Sequence, residues 1–271
     1  MRLLGQIDGR PKAFVKRGAE QPYKMEIMLK TLTRMYSNSN LSNRNYDIIK
    51  IRTKNPEMME KIQALHEDDI VAVKGVFCSI DIHRSWVCES CDNEIEENGK
   101  ESYVHPVHIM LIQSFFDNKG ERISSHEYAK VYGRRIIEEN IEISNECILD
   151  GRVVKDVSYF EGGKTENGNK IPENANYVVR VKRTFRIAED PVDRKDDYPV
   201  VCSYDEQARS DHENLYKGSR INVRGSIRVR SFEKTNMCPQ CGYIFKTNET
   251  VAEVVASSVQ YTHNYASEEA D

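Results

Sequence analysis

Two Cys-x-x-Cys pairs are the residues of this sequence best suited to chemistry. The first pair is Cys88 and Cys91 in "WVCESC", and the second pair is Cys238 and Cys241 in "NMCPQC". Thiols at this spacing bind a metal, most often zinc, or exchange disulfides. Redox catalysis requires the pair at the start of a helix, where the helix N-terminus lowers a thiol pKa. Both pairs lie instead between strand-like segments, so zinc is the favoured chemistry.

Candidate zinc ligands follow the first pair. His105 and His108 lie on the next strand-like segment, and two thiolates with two imidazoles form a common zinc site. A regular strand would point these two histidines to opposite faces, so His83 or Cys78 is an alternative for one of them. We predict a zinc site formed by the first pair with His105 and His108.

The second pair has fewer candidate ligands, because no Cys or His follows it before His263. A zinc ion at Cys238 and Cys241 would need the first pair, another subunit or a distant loop. The alternative is a tight turn with two reduced thiols. The sequence has no G-x-x-x-x-G-K-[ST], G-x-S-x-G or H-E-x-x-H motif, and we expect no enzymatic activity.

The Cys pairs also reveal an internal repeat. Gly75 precedes Cys88 by 13 positions, and Gly225 precedes Cys238 by the same 13. Each Gly follows a basic residue in an alternating strand-like segment. Similar segments precede and follow these elements in the same order in both halves. The sequence therefore predicts two copies of one structural unit.

Each copy has the pattern of a small β-barrel. Residues 177–187 and 221–230 alternate between apolar and polar side chains, which is typical of half-buried strands. One helix per copy is expected, the first capped by Asn55 with Pro56 at its first position, the second over residues 205–216. Five short strands with a helix before the fourth predict an OB-fold. The predicted fold class is all-β, with two tandem OB-fold barrels.

These patterns set the expected domain boundaries. We predict a first OB-fold at 1–116, a connecting segment with a helix near Ser125 at 117–143, a second OB-fold at 144–262 and an acidic disordered tail at 263–271.

Composition restricts the function without deciding it. The chain has 271 residues, 39% of them apolar, and a formal net charge of −4. A net negative charge does not exclude nucleic acid, because the local field governs phosphate binding. No secretory signal and no run of 18 apolar residues is present, so we expect a cytoplasmic protein.

The second copy resembles the bacterial single-stranded DNA-binding protein family. The resemblance rests on "LYKGSRINVRGSIRVRSF" (215–232) with "AEVVASSVQY" (252–261), on "NECILDGRVVKDV" (145–157) and on "DDYPVVCSYDEQA" (196–208). The chain departs from the family in its second OB-fold and its Cys pairs. Its terminal "ASEEAD" also lacks the hydrophobic tip through which the family recruits enzymes.

Binding of single strands needs cations along the phosphates and flat rings for the bases. The second copy supplies a polar strand row without Asp or Glu, although such a row is also common on a solvated strand face. The predicted phosphate contacts are Lys74, Arg180, Lys182, Arg186, Lys217, Arg220, Arg224, Arg228, Arg230 and Lys234. The predicted stacking residues are Trp86, Tyr103, Tyr198, Phe232, Tyr243 and Phe245. We expect the less basic first copy to contribute less electrostatic affinity.

The resemblance implies a non-enzymatic protein that coats single-stranded DNA with little sequence preference during replication, recombination or transfer of a mobile element. By analogy with the four chains of the family's assembly, we expect a homodimer that presents four OB-folds. The alternatives are an RNA-binding OB-fold protein and a protein-interaction adaptor of a replication complex.

Overall fold

A computed structural model describes most of the chain. The described residues are 1–32, 46–112, 115–116, 122–123, 125–140, 144–183, 187 and 195–263. Parts of the predicted connecting segment (117–121, 124 and 141–143) and of the predicted tail (264–271) lie outside them.

The first half forms a closed five-stranded barrel. Its elements are β1 (Arg2–Ile7), β2 (Lys12–Val15), β3 (Pro22–Leu32), β4 (Tyr46–Thr53), α1 (Pro56–Gln63), β5 (Ile70–Val87) and β6 (Glu94–Leu111). Strands pair in the order β1–β3–β4–β6–β5 and back to β1, and only β4 and β6 are parallel. This connectivity, with α1 before the fourth barrel strand, is the expected OB-fold.

The connecting segment and the second half follow in chain order. Their elements are β7 (Phe115–Phe116), β8 (Arg122–Ile123), α2 (Ser125–Glu139), β9 (Asn145–Val153), β10 (Ser158–Phe160), β11 (Gly163–Lys164), β12 (Lys170–Ile171), β13 (Asn174–Lys182), β14 (Asp196–Asp197), β15 (Val200–Tyr204), α3 (Asp205–Asn214), β16 (Arg220–Met237) and β17 (Ile244–His263). The second barrel closes in the order β9–β13–β15–β17–β16 and back to β9, again with one parallel pair, β15–β17. The all-β class and the two OB-folds are therefore confirmed.

Alternating apolar side chains fill both barrels, because every second residue of a strand points inward. Ile27, Ile51 and Val104 are buried in the first barrel, and Val179 and Val254 are buried in the second. The outward residues between them remain free to carry charge.

The repeated glycines produce the kink that each barrel needs. The β5–β6 ladder shifts register at Gly75 and the β16–β17 ladder shifts at Gly225. A Cβ atom at Gly75 would lie 2.5 Å from the carbonyl oxygen of His105, and one at Gly225 would lie 2.1 Å from that of Val255. Only glycine allows this close approach of backbones.

Beyond these kinks the hairpins extend out of the barrels. We call residues 79–102 the first arm and residues 229–252 the second arm; their ladders run out to Val87–Glu94 and Met237–Ile244. Each Cys pair lies at the tip of its arm.

The helices match the expected positions. The Asn55 side chain accepts a hydrogen bond from the Met58 N–H at 3.2 Å and caps α1. Helix α2 begins at Ser125 and buries Ile137 against Leu4 and Ile70 under the first barrel. Among the described residues, no helix has the length and apolar composition needed to cross a membrane.

The two barrels contact each other through equivalent parts. Strands β1 and β9 pair antiparallel at Arg2–Glu146 and Leu3–Asn145. The Ser79 N–H of the first arm donates to Asp197 at 3.2 Å, and the Val229 N–H of the second arm donates to Asp47 at 2.7 Å. Asp197 and Val229 lie 150 positions after Asp47 and Ser79, so each arm docks on the other barrel in the same way.

Candidate nucleic-acid interface

The outward side of β13, β15, β16 and β17 forms a cationic surface, which we call the second outer face. Tyr177 and Val179 point into the barrel, so Arg180 and Lys182 point outward on β13. Arg228 and Arg230 point outward on β16, and the Tyr204 side chain reaches Arg228 from β15. Four predicted phosphate contacts thus point outward from the barrel, two on β13 and two on β16.

Glu253 organises the arginines of this face. Its side chain is 1% exposed and accepts hydrogen bonds from Arg228 Nε at 2.7 Å and Arg230 Nη2 at 2.6 Å. The Arg228 guanidinium lies 5.1 Å from the Tyr204 ring centroid, and burial raises the pKa of Tyr204 to about 12. One carboxylate and a neutral phenol oppose two guanidinium groups, so the cluster keeps a positive charge.

Other predicted cations divide between paired and unpaired groups. Arg180 forms a 2.7 Å salt bridge with Asp196, which raises the pKa of the arginine further. Lys182 is exposed and forms no salt bridge with any described residue. Arg186 lies outside the described residues.

A second cluster lies where the two barrels meet. Glu146 is 4% exposed and binds both Arg2 at 2.7 Å and Arg224 at 2.9 Å, while the two arginine side chains are 58% and 59% exposed. Arg2 was not among the residues predicted from the sequence, because no motif near it in the chain indicates a binding site. Farther along β16, Arg220 pairs with Asp150 at 3.3 Å.

The remaining predicted lysines are scattered. Lys74 and Lys217 are exposed, and the Lys234 ammonium contacts Glu97 of the first arm. The carboxylates that bind the arginines of β16 come from the neighbouring strands β9 and β17.

The first barrel carries an equivalent cationic face that the sequence analysis did not predict. Lys24 and Arg52 bind Glu26, and Lys50 and Arg52 bind Glu101. Their pairing holds the pKa of each carboxyl below its usual value although burial raises it. Three cations face two carboxylates, so this face is also net positive. The alternation of Lys50 and Arg52 with buried isoleucines was the signal available in the sequence.

Tyr103 belongs to the structure of this face. It is 7% exposed, packs with Cys78 and Ile187, and lies under the Arg52 guanidinium at 4.8 Å. This burial corrects its assignment as a base-stacking residue.

The other predicted aromatic residues are accessible to different degrees. Phe232 and Tyr243 are exposed on the second arm. Tyr198 is partly exposed beneath the Lys100 ammonium, whose Nζ lies 5.7 Å from the ring centroid. Trp86 and Phe245 contact each other between the arms, with ring centroids 6.1 Å apart.

The two arms lie side by side and meet at their tips. Arg84 of the first arm forms a 2.8 Å salt bridge with Glu249 of the second. At the tips, Cys88 Sγ lies 3.7 Å from Cys241 Sγ and Cys91 Sγ lies 3.7 Å from Cys238 Sγ. All four sulfur atoms lie within 4.8 Å of one another, which makes them a candidate metal site among the described residues.

The histidines predicted as ligands do not belong to this cluster. His105 pairs with Val76 and His108 with Lys74, at the barrel end of the β5–β6 ladder. The second Cys pair takes their place, which corrects the predicted Cys₂His₂ set. Backbone N–H groups, chiefly that of Cys241, lower the pKa of the Cys238 thiol to about 6. At Cys91 the Asn93 N–H lowers the thiol pKa, but burial and the neighbouring thiols together raise it to about 12.

Comparison with known proteins agrees with this architecture. Residues 144–262 match the model of the single-strand binding protein family, which confirms the resemblance seen in the second copy. The wild-type single-stranded DNA binding protein from Thermus aquaticus is 13% identical, with a TM-score of 0.57 over 99% of this chain and 95% of that one. A deletion mutant of the same protein gives 15% identity and a TM-score of 0.58, with 99% and 96% covered. No curated protein matches the sequence.

Proposed function

We propose that this protein binds single-stranded DNA with little sequence preference and without chemical change to the strand. The observation that carries the proposal is the family match over residues 144–262, the segment that forms the second barrel. That barrel bears four outward cations, Arg180 and Lys182 on β13 and Arg228 and Arg230 on β16 at the base of the second arm. The corresponding strands and loops are where OB-folds bind oligonucleotides.

The proposed mechanism is passive. A guanidinium group has five N–H donors, so an arginine held by a buried carboxylate still has donors for a phosphate. Each phosphate that is neutralised releases counterions from the strand. Exposed rings such as Phe232 and Tyr243 offer surfaces for base stacking.

We further propose that both barrels contribute cations to this binding. The first outer face, with Lys24, Lys50 and Arg52, is net positive like the second. In the cell the protein would coat cytoplasmic single strands exposed by replication, recombination or mobile-element transfer. Two chains would associate into a dimer that presents four barrels. A molecular mass of two chains, measured under native conditions, would support this dimer.

Fluorescence anisotropy with a labelled oligo-dT across a salt series tests the function. We expect single-strand binding that survives competition by duplex, with a log–log salt slope of about −0.7 for each phosphate neutralised. An oligo-U of the same length tests the RNA alternative, because the 2′-hydroxyl distinguishes the two sugars. Binding to duplex that is as strong as binding to the single strand would overturn the proposal. The absence of salt-dependent binding would favour a protein-interaction adaptor.

A further inference from the structure

We propose that Cys88, Cys91, Cys238 and Cys241 together bind one zinc ion, and that this ion fastens the tips of the two arms to each other. The inference goes beyond nucleic-acid binding and does not depend on it. It replaces two separate sites with a single site to which each half of the chain contributes two thiolates.

The sulfur geometry fits one tetrahedral ion. Zinc binds thiolate sulfur at about 2.3 Å, which places the corners of a regular tetrahedron about 3.8 Å apart. The distances Cys88–Cys241 and Cys91–Cys238 are both 3.7 Å, and no pair of the four sulfur atoms exceeds 4.8 Å. Ligands from four thiolates are typical of structural zinc sites.

Each arm tip has a backbone turn that presents its two thiols together. In the first arm the Cys88 N–H donates to the Asn93 carbonyl at 2.8 Å, and the Asp92 N–H donates to the Cys88 carbonyl at 2.9 Å. The second arm repeats both bonds 150 positions later, through Cys238, Tyr243 and Gly242, at the same distances.

The residue after the second cysteine completes each turn. Asp92 has φ of 55° and Gly242 has φ of 75°, a left-handed conformation that non-glycine residues adopt rarely. Two separately formed turns of the same geometry that face each other argue for a common ligand.

Contacts between the arms hold the two tips close to each other. The salt bridge between Arg84 and Glu249 and the contact between Trp86 and Phe245 hold the arms together below the tips. A single partly exposed ion pair and one ring contact hold the arms only locally, whereas a metal ion bound by both tips would join the arms covalently through its ligands. On binding, each thiol gives up its proton and the sulfur becomes a ligand.

Zinc is favoured over other metals because four thiolates in a tetrahedron suit zinc or iron, and zinc needs no redox partner. The chemical alternative is a pair of disulfides, Cys88–Cys241 and Cys91–Cys238, since each of these pairs is already in contact. Either disulfide would consume an oxidant, so the two outcomes differ in free thiols and metal content.

Metal analysis of the purified full-length chain tests the proposal. We expect one zinc per chain, and one Co²⁺ after exchange, with the absorption of a tetrahedral tetrathiolate. Chelation should shift the emission of Trp86, the one tryptophan of the chain, as the arms separate. This readout and the Co²⁺ spectrum need no variant, so they hold even if cysteine variants fold poorly.

Two variants separate one shared site from two. One double variant carries Cys88→Ser and Cys91→Ser, and the other carries Cys238→Ser and Cys241→Ser. Each should reduce the zinc content from one ion per chain to zero. The matched control, His108→Ala, should keep one zinc ion. Two zinc ions per chain, zinc retained by either cysteine variant, or two disulfides by non-reducing mass spectrometry would each overturn the inference. Four free thiols without metal after purification with added zinc would do the same.

Discussion

Buried carboxylates that each bind two arginines are the recurring arrangement at the level of single residues. Glu146 binds Arg2 and Arg224, and Glu253 binds Arg228 and Arg230. Removing both arginines of such a cluster would leave its buried carboxylate unpaired. A test of phosphate binding should therefore spare one arginine of each cluster.

We predict that Arg180→Gln, Lys182→Gln and Arg230→Gln in one chain weaken binding to oligo-dT and make the salt slope shallower by about 2, because about three phosphate contacts are lost. Arg228 stays on Glu253 in this variant, so the barrel keeps its charge pair. Anisotropy across a salt series gives the slope, and circular dichroism checks folding.

A matched control removes the same charge from the helices. Lys61, Arg135 and Arg209 lie on α1, α2 and α3, and each is paired with an acid as Arg180 is. Their replacement by Gln should leave the slope within error of the wild type. If both triple variants lower the slope equally, the second outer face is not the binding surface.

The sequence indicates the outward cations of this surface better than it indicates the groups around them. Alternation alone placed Arg228 and Arg230 outward. Their partner Glu253 lies 25 positions from Arg228, and Glu146 lies 78 positions from Arg224. Such partners become neighbours only when the barrel closes, so the absence of acids between the arginines of the row could not show which carboxylates would bind them.

Among the secondary-structure elements, the long hairpin with a glycine kink occurs once in each half of the chain. The matched spacing from Gly75 and Gly225 to the cysteines predicted both hairpins and both tips. The same pattern could not predict that the tips meet. A strand pattern gives the faces of a hairpin, but the direction in which the hairpin leaves its barrel depends on contacts such as Val229–Asp47.

We predict that Gly225→Ala destabilises the second barrel by about 1–3 kcal/mol, the usual range for forcing extra volume into a packed site. The new Cβ would lie 2.1 Å from the Val255 carbonyl oxygen, and a backbone neighbour cannot rotate away. Urea unfolding measures the loss.

Gly163→Ala is the matched control, because nothing lies within 4 Å of its Cβ position and its φ is not positive. It should change stability by less than about 0.5 kcal/mol, as surface substitutions usually do. Equal losses in both variants would mean that Gly225 does not mark a close backbone contact.

The whole molecule is held together by reciprocal contacts between its halves. Each arm donates one backbone N–H to an aspartate of the opposite barrel, Ser79 to Asp197 and Val229 to Asp47. The β1–β9 pairing joins the same halves at Arg2–Glu146 and Leu3–Asn145. These contacts explain how a chain with two copies of one barrel unit forms one structure rather than two independent domains.

We predict that Asp47→Ala destabilises the chain by about 1–3 kcal/mol, the cost of leaving a buried hydrogen-bonding group without its partner. Asp47→Asn keeps an oxygen that can accept the Val229 N–H and should cost less. Amide exchange at Val229 should accelerate in the alanine variant. Unchanged exchange there would show that Asp47 does not hold the second arm.

Asp197→Ala should cost more, about 3–5 kcal/mol, because Asp197 also forms a 2.7 Å salt bridge with the buried Arg183. The informative measurement is the double variant. If the arms dock as one unit, joined at their tips, release of one arm already weakens the other, and the double variant loses less than the two single losses added together. A double-mutant cycle by urea unfolding should then give a coupling of about 0.5–3 kcal/mol. Strict additivity would mean that each arm docks on its barrel independently, whatever its cysteines bind.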